Sequence, residues 1–114
     1  MNRYQTLDLV YSLLGFGVTT MAFYFSVISA YLVVAYLAGK ELEKIQVVII
    51  NILFLAFSLS LVYGTYNFFL EAYLLIPDSG PIPSWLPLSV GITEIFGIVA
   101  ALFFMKNNRK DINK

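Results

Sequence analysis

The chain has 114 residues, of which 60% are apolar and 12% charged, and it contains no cysteine or histidine. Seven basic and seven acidic side chains cancel, which argues against the broad basic surface that nucleic-acid binding uses. So much apolar surface does not fit inside a soluble domain of this size but is covered directly by lipid; without Cys or His, disulfides, thiolate nucleophiles and ordinary zinc ligation are excluded, and no metal or cofactor is expected.

The amino terminus reads as a retained helix and not as a cleaved leader. Arg3 is its single basic residue, and the apolar run starting at Leu7 continues to Ala38 without a small-residue cleavage site after a short core. The first predicted span, 7–38, exceeds one minimal crossing, so it tilts, projects from the hydrocarbon, or bends near Gly15 and Gly17. Along it run Ser12, Gly15, Thr19, Ala22, Ser26 and Ser29, at alternating intervals of three and four residues. That spacing places small residues on one face, where another membrane helix packs closely.

The polar segment GKELEKIQ, residues 39–46, ends the first span. A second span is predicted over 47–76, until Pro77 and the PDSGPIP sequence remove backbone donors and impose turns. Its outer half is the more polar: Ser60, Gly64, Asn67 and Glu71 follow one side, with Tyr63 beside them, while Asn51 and Ser58 lie further in. A buried amide or carboxyl needs partners, because dry, unpaired donors and acceptors are costly.

The third span is predicted over 85–105, with Ser89, Thr93, Gly97 and Ala101 at four-residue intervals forming a second small-residue ridge. Between Asp78 and Lys106 the only charged residue is Glu94. A carboxyl so deep in an apolar stretch faces protein or water, since contact with hydrocarbon is expensive. At the rise of an α-helix, Glu94 lies about 13 Å below Trp85, Asn67 about 15 Å before Pro77, and Thr19 about 16 Å beyond Asp8. These depths allow Thr19, Asn67 and Glu94 to meet in one layer, with Tyr63 and Thr93 at its rim and Glu71 at an outer mouth. Asp8 and Asp78 belong to the same outer level.

Together these features specify an all-α, three-span integral membrane protein, a single transmembrane domain that two small faces suit to homo-oligomer formation. Long uninterrupted runs favour helices over a barrel, since each helix satisfies its own backbone in lipid. Lys40, Lys44, Lys106, Arg109, Lys110 and Lys114 fall on one side against Arg3 on the other, so the amino terminus is expected outside and the carboxyl terminus in the cytoplasm. A plasma membrane or bacterial inner membrane suits that charge pattern.

Three functional readings follow. A small oligomeric protein forms a cation- or proton-permeable pore lined by Glu94, which replaces part of an ion's hydration and attracts a monovalent cation. Alternatively, the chain is a structural or regulatory accessory subunit of a larger membrane protein, with Glu94 supplying a buried hydrogen bond. An intramembrane enzyme is disfavoured, because a serine nucleophile needs an activating base that the spans do not offer.

Overall fold

The computed structural model of the protein describes residues 2–76 and 82–110. Asp78, most of the proline-rich connection and the last four residues, including Lys114, lie outside the described residues. Three helices run in order: α1, Arg3–Ala38; α2, Lys44–Leu75; and α3, Leu86–Lys110. All three are long and apolar enough to cross a membrane, and the chain is a three-helix integral membrane protein.

Each helix exceeds its predicted apolar run because local chemistry carries the backbone past the hydrocarbon. α1 begins at Arg3 and not at residue 7: the Asn2 side chain accepts the Gln5 backbone N–H at 2.8 Å, while Gln5 takes the Asn2 N–H at 3.3 Å. That reciprocal pair satisfies donors that otherwise have no partner at a helix start. α2 starts at Lys44, three residues before the predicted span, where Gln46 accepts the Glu43 N–H at 2.9 Å. It stops at Ile76, whose φ of −141° and ψ of 80° leave the helical region, as expected for a residue preceding a proline. α3 places Pro87 in its first turn, where a missing donor costs nothing, and its polar end continues to Lys110. Neither Gly15 nor Gly17 interrupts α1, which is helical over all 36 residues. At the ordinary rise this helix is about 54 Å long, consistent with the 64 Å long axis of the bundle.

The helices pack through a seven-residue repeat. On α1 the buried face is Val10, Gly17, Tyr24 and Tyr31, with Ala35; on α2 it is Phe54, Ser58, Val62, Thr65, Phe69 and Ala72. On α3, Pro87, Gly91, Glu94, Ile98, Ala101 and Met105 are all buried, at alternating steps of four and three. This is the spacing of knobs-into-holes packing at shallow crossing angles. The aromatic, Leu, Ile and Val residues on the remaining faces stay exposed, and lipid covers them. Two apolar clusters form: Val10, Ala72 and Ile82 towards the proline-rich end, and Tyr24, Tyr31, Phe54, Ile98, Ala101 and Met105 among others towards the first loop.

Polar contacts fix the register. Thr65 Oγ lies 2.8 Å from Thr20 Oγ, and Thr20 in turn donates to the Gly17 carbonyl at 2.8 Å. The Tyr31 hydroxyl donates to Asn51 Oδ1 at 2.6 Å, and its ring stacks on Phe54 with centroids 4.0 Å apart. At the end of α3, Arg109 donates to the carbonyls of Gly39 and Leu42 at 3.0 and 2.6 Å, and Asn108 reaches the Ala35 carbonyl at 3.3 Å. A guanidinium therefore sits at the negative end of the α1 dipole, where positive charge is favoured.

Candidate functional site

Glu94 occupies a core position of the α3 repeat and is only 3% exposed. Both carboxyl oxygens are buried, and neither has a hydrogen-bond partner among the described residues. Its backbone is better satisfied: the Tyr24 hydroxyl crosses from α1 and donates to the Glu94 carbonyl at 2.6 Å. Gly97, one turn further along α3, makes room for this crossing, since a Cβ there would fall on the tyrosine oxygen. Tyr24 thus locks α1 against α3 next to the buried acid.

The α1–α3 seam is the least extensive of the three helix pairs, and a groove of about 340 Å³ opens along it. Its lining includes Met21, Phe25 and Ile28 from α1, with Val90 and Glu94 from α3 and Trp85 from the turn that precedes it. Ser89, Thr93 and Gly97 complete the α3 side. Almost all of this surface is apolar. Thr93 has already committed its proton to the Ser89 carbonyl at 2.9 Å, so Glu94 is the one ionisable carboxyl in the lining.

Of the other residues singled out from the sequence, Thr93 lines the groove with Glu94, whereas Thr19, Asn67, Tyr63 and Glu71 do not. Thr19 is exposed and donates to the Gly15 carbonyl at 2.9 Å. Asn67 is only partly buried, and its amide donates to the Tyr63 carbonyl at 2.9 Å. Tyr63 is 72% exposed. Within the chain the α1 residue that reaches the Glu94 backbone is Tyr24, five residues beyond Thr19, and the Thr19 hydroxyl and Asn67 amide bond to their own helices. Glu71 is exposed, beside a shallow groove shared with Leu9 and Leu13.

Comparison with known protein families, curated proteins and solved structures finds no match.

The small-residue faces also fall differently from the simplest expectation. Ser12, Gly15, Thr19, Ala22, Ser26 and Ser29 are all exposed, on the side of α1 away from its buried tyrosines. Nothing lies within 4 Å of a Cβ built on Gly15. On α3 the four-residue ridge rotates from exposed Ser89 and Thr93, through half-buried Gly97, to buried Ala101. Only its inner half packs within the chain. Gly64 is half-buried, its nearest contact being Thr20 Cγ2 at 3.9 Å. The glycine that most closely admits a neighbour from α2 is Gly17, where a Cβ would come within 2.9 Å of the Phe69 ring. The seven-residue spacing of Val10, Gly17, Tyr24 and Tyr31 was the available sequence signal for this inner face.

Proposed function

We propose that the protein is a small self-assembling membrane subunit, with α1 as a two-sided helix. One side carries Tyr24 and Tyr31 into its own bundle; the other offers the small-residue stripe to α1 of a second copy. The carrying observation is that six small residues at alternating steps of three and four are all exposed, opposite the buried face. Thr19 and Ser26 donate to the carbonyls of Gly15 and Ala22 at 2.9 and 3.1 Å, which leaves a surface with few unmet polar demands. Helix association in lipid depends on such close van der Waals approach, since apolar surface alone gives no drive. The reading is non-enzymatic, and it orients the amino terminus outside and the lysine-bearing ends in the cytoplasm, in a plasma or bacterial inner membrane.

The chain's lack of cysteine makes the test clean. Single substitutions Gly15→Cys, Ala22→Cys and Ser29→Cys are expected to form disulfide-linked dimers on mild oxidation in membranes. Phe57→Cys, on the lipid-facing side of α2, is the control. Equal cross-linking at all four positions, or none at the three α1 positions, would refute self-assembly through this face. A monomer that orders only with a different polypeptide would instead support an accessory subunit using the same stripe.

A cation- or proton-permeable pore is the second reading, favoured by the carboxyl oxygens of Glu94 that have no protein partner among the described residues. Copies arranged around their α1–α3 grooves would bring these acids towards a shared hydrated cavity. Flux through pure reconstituted protein, lost in Glu94→Gln, would support it. Sealed membranes with the native chain would remove it.

A further inference from the structure

The Glu94 groove presents a problem of charge and hydrogen bonding that the described residues do not solve. Two buried oxygens lack donors among the described residues, and the sequence places no Lys, Arg or His between residues 45 and 105. The rest of the lining is apolar and aromatic, with Trp85 at the outer end of α3 and Phe25 on α1. A complementary occupant therefore brings positive donors at one point and an apolar body elsewhere, and it arrives from the bilayer side. The volume of about 340 Å³ is at the lower end of small-molecule sites. Tyr24, Phe25 and Trp85 in the same lining supply aromatic rings, which attract cations.

We propose that the α1–α3 groove is a binding site for a small lipophilic amine, its ammonium group held by Glu94 and its body lying along Met21, Phe25, Ile28 and Val90. Whether the amine arrives charged, or takes a proton from a neutral carboxylic acid, the same ammonium–carboxylate pair results. No other reactant is needed.

Trp85 is the chain's single tryptophan and lines the groove, so its emission reports occupancy directly. The purified protein in lipid nanodiscs is titrated with 4-bromobenzylamine, whose bromine quenches nearby indole, and with the neutral isostere 4-bromobenzyl alcohol. The amine is expected to quench saturably, at least tenfold more tightly than the alcohol, and Glu94→Gln is expected to abolish that difference. Equal, unsaturable quenching by both compounds is partition into lipid and would overturn the proposal, as would unchanged amine affinity in a folded Glu94→Gln. If that variant loses its helical signal, Ser89→Leu decides. This exposed lining residue narrows the groove while leaving the acid intact; loss of amine quenching supports the site, and unaltered quenching refutes it.

Discussion

The contact among Tyr24, Glu94 and Gly97 makes a quantitative prediction in which one substitution costs very different amounts in two backgrounds. Tyr24→Phe removes one hydrogen bond to the Glu94 carbonyl, whose oxygen keeps its helical position, so the cost is set at about 0.6–1.5 kcal/mol. Gly97→Ala places a methyl group on the tyrosine oxygen and forces α1 and α3 apart, a form of overpacking that costs about 1–3 kcal/mol. Independent losses would together reach about 1.6–4.5 kcal/mol in the double variant. The geometry forbids that sum. With the hydroxyl gone, the nearest ring atoms lie 3.4 and 4.0 Å from the new Cβ, which is ordinary contact. The double variant is therefore expected within about 0.5 kcal/mol of Tyr24→Phe alone, and the better helix propensity of alanine pushes in the same direction. The assay is a double-mutant cycle by SDS titration in mixed micelles, followed by helical circular dichroism and Trp85 emission. Additive penalties would show that Gly97 does not accommodate the Tyr24 crossing, and the described α1–α3 register would be wrong.

Gly17→Val is expected to destabilise the bundle by about 1–3 kcal/mol through collision with the Phe69 ring, and Phe69→Leu should recover part of that loss in the same titration. Arg109→Gln removes the guanidinium that holds the Gly39 and Leu42 carbonyls; a cost of about 1–3 kcal/mol follows for partly buried, charge-assisted bonds. It should appear as faster tryptic cleavage at Lys40 and Lys44 in detergent, and an unchanged rate would argue against the clamp. Thr65→Val, at a fully buried hydroxyl shared between Thr20 and the Leu61 carbonyl, should cost about 0.6–1.5 kcal/mol. For orientation, Thr6→Cys should react with a membrane-impermeant thiol reagent from outside and Lys106→Cys only after permeabilisation; the reverse pattern would invert the proposed topology.

The spans were legible because lipid demands long apolar runs whatever the helices do next. Pro77 and the GKELEKIQ segment marked their ends for local reasons that tertiary contacts do not override. Glu94 was legible too, since an acid among so many apolar residues has few places to go. The inward faces were harder to read. In water, apolar residues point inside, but here Phe16, Phe23 and Phe96 are exposed for the same reason that Tyr24 is buried: neither location meets water. Hydrophobicity then carries no directional information, and small-residue stripes drew attention to the outer side of α1. The inner side was written in a subtler form, as tyrosines seven residues apart and a glycine opposite a phenylalanine. Thr19 and Asn67 show why polar residues are hard to read in a membrane helix: their own carbonyls four residues back satisfy them without a neighbour.

The tyrosine that reaches from the first helix to the third has a bearing on biogenesis. While the ribosome has delivered only the leading hairpin, the phenol of Tyr24 has no acceptor on the nascent partner that it will finally hold. Arg109, emerging later still, is what fastens the turn between the first two helices. The final segment therefore acts as a keystone, and truncating it should leave an inserted but loosely closed pair that membrane quality control can recognise.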